Sequence, residues 1–410
     1  MRVLLSDFVL TSDSKFDIIK NGGVCFDEKI IEVGEGAILA KKYKNVEIEK
    51  LPKNSVLIPG LINPHVHLEF SANIATLKLG DFMLWLKSVI ASREELQNRC
   101  DKKLLENMLQ NILKSGVTTI GAISSFGLDL ESCVKTSLNT VYFVEAIGSN
   151  PSALDALFSD FKSRYYEAKA AKSCSFMPAI SVHSPYSTHP VLARHVLDMA
   201  KEDDVCVTAH FMESLYERKW LDSGSGEMSE FMKSFNPKVK PMTTAKEFLE
   251  LFESVKTLFV HAVHIGDSEL EMMAKQKNAI VHCPRSNTFL KTGVLDIKKI
   301  QNSDTSLLLG TDGLSSNISL NLWDEMRAAL FMHQSFSLEN LAVLLLRAST
   351  CEAAKALGLN KGRLEKGFDA DIAVLNLKEI PSDVADIPLH IILQTNEAQK
   401  VFINGANVCS

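Results

Sequence analysis

No stretch of the 410 residues stays apolar long enough to span a membrane. The opening MRVLLSDFVL has an Arg, an early Asp, no sustained apolar segment and no small-residue cleavage site, so export is not expected and a cytoplasmic location is. A basic stripe is missing as well. Lys and Arg number 44 against 50 Asp and Glu, a net charge of -6, and the basic residues are scattered, which leaves nucleic acid without an electrostatic footprint. Nor is there a C-x-x-C pair. The 8 cysteines stand far apart, several inside apolar runs such as DVCVTAH and IVHCP, and read as buried free thiols of a reducing compartment. Internal repeats and low-complexity tracts are absent, and linker composition is confined to SGSGE at 223–227.

What remains is an ordinary globular composition, 46% hydrophobic and 23% charged, in a chain long enough for one large barrel carrying a smaller module. From Ser55 onward, runs rich in Val, Ile and Thr recur: LINPHVH, TTIGAIS, TVYFVEAIG, FMPAISVH, VCVTAH, TLFVHAVH, NAIVHCP and SLLLGTD. Amphipathic stretches, among them 152–171, 189–201, 244–254 and 322–334, separate them. Strand then helix, eight times over, predicts an α/β fold, a parallel (β/α)8 TIM barrel. The flanks differ in texture. VLLSDFVL, GGVCFDEKIIEVG and NVEIEK near the start, and KGFDADIAVLNL and KVFINGANV near the end, read as short strands that pair into one small β-sandwich. The expected division is 1–57 with 359–410 for the composite sandwich and 58–358 for the barrel.

Most informative polar residues fall at the C-terminal end of a strand, the face where barrel enzymes build their sites. His65 and His67 in PGLINPHVHLEF are two apart on an extended segment, so both imidazoles point one way and can share one metal ion. His210 ends the fifth strand in VTAHFMES, with Glu213 three residues on. Asp312 leaves the apolar eighth strand in LLLGTDGLSSN, where burial makes a merely structural carboxylate costly, although a helix cap is the alternative. Four nitrogen and oxygen donors from strands one, five and eight point to a metal site.

The H-x-H after PGL-x-N, the H-x-x-E of strand five, the paired histidines of FVHAVHI, HCPRSN and GTD-x-x-x-SN together resemble the amidohydrolase superfamily, in its chlorohydrolase and nucleobase-deaminase branch. The resemblance spans the barrel and implies a composite β-sandwich. It also implies that His65, His67, His210 and Asp312 bind a divalent metal, zinc first with iron as the alternative. His261 would orient the attacking oxygen, with His264 as packing or as support behind the site. Binuclear relatives use a carboxylated lysine on strand four; FMPAISVHSP has His183 and no lysine, so one metal is expected.

The implied reaction is hydrolytic deamination of an aminopurine nucleoside. Asp312 takes the proton of the attacking water, and Glu213 protonates the ring nitrogen beside the amino-bearing carbon. His183 is expected to contact substrate or else to bond at the barrel rim. Arg285 is expected to hold a substrate anion or hydroxyl, or to pair with a carboxylate, and His282 is a weaker candidate. Phe70, Phe82 and Trp85 offer a wall for a flat heterocycle unless they belong to the core. Arg93 and Glu94 are candidates for gripping a ribose or carboxylate, against a solvated helix face. The resemblance, rather than any residue, further implies 6-amino-6-deoxyfutalosine of menaquinone biosynthesis as the first substrate. Alternatives are adenosylhomocysteine, methylthioadenosine, adenosine, guanine, a chlorotriazine, or an inactive binding barrel. The expected partners are the nucleoside and water, with no nucleic acid or membrane, and relatives of this kind imply a homodimer.

Overall fold

In the computed structural model, which describes residues 1–409, the eight expected runs form one parallel sheet in chain order. The strands are Leu61–Val66, Val117–Ser124, Asn139–Ala146, Phe176–Val182, Val207–Phe211, Thr257–His261, Ala279–His282 and Ser306–Leu309. Nearly every residue in them is buried, as a sheet covered on one face by helices and on the other by its own interior requires.

The sheet curls until the eighth strand meets the first. Side chains close the seam: Asn63 Nδ2 donates to Thr311 Oγ1 at 2.8 Å, and Asn63 Oδ1 accepts from the Thr311 amide at 3.3 Å. The Asp312 amide then donates to the His65 carbonyl at 3.2 Å. Barrel closure therefore brings residues remote in the chain to one point.

The outer helices form where their pattern and caps dictate. Leu154–Ala170, Pro190–Asp203, Ala245–Leu251 and Leu322–Met332 answer the four amphipathic stretches. Leu192, Ala193, Val196, Leu197 and Ala200 recur at helical spacing and are buried against the barrel. Thr244 and Glu247 make a reciprocal capping box, and Asn321 accepts from the Trp323 amide.

The flanks build two sheets. One takes Ile30–Glu35, Gly22–Phe26, Arg2–Leu5 and Glu47–Lys50 from the N-terminal flank alone. The other interleaves both ends, in the order Ala406–Cys409, Lys400–Ile403, Ile372–Asn376, Ser55–Pro59, Phe8–Leu10 and Ile18–Lys20. Leu4, Val24, Phe26, Leu57, Ile372 and Phe402 form their common core, in which Phe26 and Phe402 meet edge to face at 5.4 Å. The C-terminal flank also contains a helix, Ile387–Gln394, whose Ile387, Ile391 and Ile392 join the barrel's outer core. Among the described residues no helix is long and apolar enough to cross a membrane, and all eight cysteines are free.

Candidate metal centre and substrate cavity

His65 and His67 leave the first strand side by side because residues two apart on extended backbone share a face. The glycines of GTDG let the eighth strand press against them. A Cβ on Gly310 would stand 3.0 Å from His65 Cβ, and one on Gly313 would stand 3.0 Å from His67 Cβ. His210 ends the fifth strand, where its Nδ1 donates to the His183 carbonyl at 2.9 Å. That bond leaves Nε2 facing inward, 3.3 Å from His67 Nε2. Asp312 Oδ1 lies 3.6 Å from Nε2 of both His65 and His67, while Oδ2 accepts from the hydroxyls of Ser286 at 2.7 Å and Ser316 at 3.1 Å.

These atoms fit a divalent cation. Both ring nitrogens of His65 and Nδ1 of His67 are buried without a hydrogen-bond partner, a costly state that coordination relieves. The donor atoms of His65, His67 and Asp312 lie within 4.8 Å of one another, as do those of His65, His210 and His261. Burial, then the neighbouring His65, holds His67 down to about 4, and burial likewise keeps His210 well below the ordinary imidazole range. Neutral imidazole is the form that ligates. Burial acts to raise Asp312, but bonding to His65 and the proximity of His67 and His261 outweigh it and hold the carboxyl well below its usual range. His261 and Asp312 both adopt left-handed backbone, at φ 71° and 58°, which costs a non-glycine residue about 1–2 kcal/mol.

Around this cluster the strand ends supply further groups. Glu213 Oε1 lies 3.7 Å from His261 Nε2, and His261 Nδ1 donates to Asn287 Oδ1 at 2.9 Å. Burial, followed by the charges of Asp312 and Glu217, pushes the Glu213 carboxyl well above the usual range. His183 Nδ1 bonds the Ser187 hydroxyl at 2.6 Å, and Trp85 Nε1 donates to the Ser315 carbonyl at 3.0 Å. His67, His183, His210, Glu213, His261 and Asp312 all line one cavity of about 840 Å³, and Trp85 and Phe70 stand on its wall. Phe82 is core at 1% exposure.

Two candidates for substrate contact lie elsewhere. Arg285 sits off the cavity, donating from Nε to Glu325 at 2.7 Å and from Nη2 to the Ser319 carbonyl at 2.7 Å. The short helix Pro284–Phe289 turns Arg285 away from the cavity, toward the buried Glu325, and aims its neighbours Ser286 and Asn287 at Asp312 and His261. Glu94 is exposed on the helix Arg93–Arg99, whose spacing brings Arg93, Leu96 and Gln97 to the cavity instead. His264 Nε2 is bound to the Thr292 carbonyl, and His282 pairs with His333 at 3.1 Å.

Several residues of the site escaped the sequence reading. Glu145 ends the third strand and accepts from the hydroxyls of Ser125 at 2.5 Å and Ser181 at 3.3 Å, within reach of His183 and His210. Its position at a strand end was the available signal, masked by an otherwise apolar run. Glu69 accepts from the amides of Ser125, Phe126 and Leu128 at 2.7, 3.0 and 2.9 Å, tying the loop after strand one to the loop after strand two. Burial and the charge of Asp129 raise its carboxyl to about 8. Ser286, Asn287 and Glu217 become legible only when their contacts are seen.

A parallel barrel with three histidines and an aspartate at its C-terminal mouth, and a buried acid beside them, defines a barrel hydrolase with a metal-type site. The Amidohydrolase family model matches residues 56–408, and the chain belongs to that family. It is 44% identical over 405 residues to an aminodeoxyfutalosine deaminase of a Nitratiruptor species, covering 99% of this chain and 98% of that one. It is 34% identical over 411 residues to a protein of Helicobacter pylori named adenosine deaminase, covering 99% of each. The crystal structure of Helicobacter pylori aminofutalosine deaminase in complex with methylthio-coformycin superposes with a TM-score of 0.94 at 32% identity, covering 100% of both chains. The chain is a hydrolase acting on carbon–nitrogen bonds, of the deaminase kind.

Proposed function

We propose that the chain hydrolyses 6-amino-6-deoxyfutalosine to futalosine and ammonia in the cytoplasm, as a step of menaquinone biosynthesis. The relatives named for that substrate support the choice, and eight free cysteines suit a reducing compartment. The observation that carries deamination is Glu213, a buried carboxyl driven toward its protonated form beside the histidine–aspartate cluster. A protonated acid at that point can charge a purine ring nitrogen, a step that simple amide cleavage does not need.

His65, His67, His210 and Asp312 would hold one divalent ion, with zinc favoured by three imidazoles and a carboxylate. Bound there, such an ion supplies hydroxide near neutral pH by lowering the pKa of water to about 7. Asp312 takes the proton of the attacking water, its orientation maintained by Ser286 and Ser316. Glu213 donates to the ring nitrogen next to the amino-bearing carbon, which makes that carbon electrophilic. His261 is fixed by Asn287 with Nε2 toward the cavity, where its lone pair accepts from the attacking water and orients it. The C–N bond then breaks: the amino group takes the proton held by Asp312 and leaves as ammonia, while the remaining hydroxyl proton returns to Glu213 as the product carbonyl forms. His183, Trp85 and Phe70 border the space for the purine.

The decisive measurement is ammonia release from a panel of 6-aminopurine nucleosides, with metal content determined on the same preparation. The expected result is about one zinc per chain and the highest kcat/KM on 6-amino-6-deoxyfutalosine. An adenosine-type substrate is the second reading, favoured by the relative named adenosine deaminase, and faster turnover of adenosine or methylthioadenosine would replace the first reading with it.

A further inference from the structure

The cavity is lined by both acidic and basic side chains. Its four acidic side chains, Glu69, Glu145, Glu213 and Asp312, all have neighbours within the protein: loop amides, the hydroxyls of Ser125 and Ser181, His261 at 3.7 Å, and the histidine–serine cluster. Two cations also line it, Arg93 and Lys240, contributed by the segments after strands one and five. Neither forms an ion pair among the described residues. Arg93 lies over the Phe126 ring at 5.2 Å, and that ring's own amide is held by Glu69. Both cations are solvent-exposed and free to pair with an anion that enters the cavity.

Much of the wall of the same cavity is apolar, with Ile90, Leu96, Phe231, Phe235 and Val239 on it. Ile90 is 45% and Phe235 66% exposed, and Phe235 meets Phe231 edge to face at 5.1 Å. Such surface beside a cavity is what an apolar ligand covers. A volume of about 840 Å³ is near the top of the range of about 300–1,000 Å³ for ligand sites, more than a bare purine and ribose need.

We infer that Arg93 and Lys240 are specificity-determining residues that bind a carboxylate on the far end of an apolar, aryl-sized 5′ substituent of the nucleoside. The inference rests on the deaminase reading above and names the part of the substrate that the reacting end does not touch. The side chains of Leu96 and Phe235 cover the aryl group, and the two cations pair with its anion. Neither cation takes part in proton transfer, so their contribution is to binding.

The test compares two nucleosides alike in purine and ribose, 6-amino-6-deoxyfutalosine with its carboxyphenyl arm and 5′-methylthioadenosine with a neutral one. Wild type, Arg93→Gln, Lys240→Gln, the double variant and the charge-retaining Arg93→Lys are assayed. For the carboxylated substrate each Gln variant should raise KM about tenfold with kcat within about twofold, as the loss of one charge-assisted contact does. Arg93→Lys should recover part of the loss. Methylthioadenosine should show no change, and raising salt should weaken only the carboxylated substrate on wild type. Equal losses on both substrates, or none on the carboxylated one, would overturn the inference. Should wild type release ammonia from neither, the deaminase reading fails. Calorimetric binding of the carboxylated nucleoside to wild type and double variant then decides this inference alone: about tenfold or more weaker binding to the variant upholds it, and equal or absent binding ends it.

Discussion

Ser286 Oγ donates to Asp312 Oδ2 at 2.7 Å, which leaves Oδ1 as the oxygen that faces His65 and His67. The pair joins strand seven's exit to strand eight's and converts a flexible carboxylate into an oriented one. Outer hydrogen bonds of this kind are worth about 10–100-fold in metal affinity or activity. Ser286→Ala should therefore keep the fold, with unchanged circular dichroism, and lose that factor in zinc affinity or kcat. Wild-type zinc titration and wild-type kcat together would make the bond incidental.

Glu213→Gln removes the proton donor and leaves the shape. The variant should retain metal and substrate binding while kcat falls about 10²–10⁴-fold, the usual range for a general acid. Single-turnover measurement with saturating enzyme separates this from a binding defect. A rise in KM with kcat intact would assign Glu213 to binding instead.

Gly310 tests how tightly the seam is packed. A Cβ there would approach Val281 Cγ1 to 2.8 Å and His65 Cβ to 3.0 Å, so Gly310→Ala should cost about 1–3 kcal/mol and displace His65. The readouts are denaturant unfolding and zinc content. Gly34→Ala, with nothing within 4 Å of the added carbon, is the control and should leave both unchanged.

Glu217 gives a pH dependence with a definite sign. It is 1% exposed, accepts from the Met212 and Glu213 amides at 3.0 and 2.9 Å, and burial lifts its carboxyl from 4.5 to about 7. The native state then binds more protons than the unfolded chain between those values, so stability falls as pH rises from about 4.5 to about 7. The full shift corresponds to about 3 kcal/mol. Glu217→Gln cannot ionise, and urea unfolding at pH 5, 6 and 7 should show the variant's stability rising relative to wild type by up to that amount. A difference independent of pH would mean that Glu217 is already ionised at pH 5.

The eight barrel strands were legible because they are apolar runs and most have a polar residue at or near the exit, where His65, His67, His210 and Asp312 stand. Arg285 and Glu94 misled for one reason. Each stands next to residues that do face the site, Ser286 and Asn287 in one case and Arg93 in the other, and on a helix one position is about 100° of rotation. The strand-six histidines, distinguished in the sequence through the family resemblance, have different partners: His261 bonds Asn287 inside the site, His264 the Thr292 carbonyl outside it.

The sequence by itself determined the fold class, the β-character of both flanks and the chemical types gathered at the barrel mouth, because apolar runs, helical periodicity and strand-end position are local properties. Tertiary structure decided the rest. Closure of the seam between Asn63 and Thr311 sets Asp312 beside His65, and the interdigitated loops make Glu69 a brace for Ser125 to Leu128 and leave Arg93 and Lys240 on the wall of one cavity. Those relations depend on distances between residues remote in the chain, which no local pattern contains.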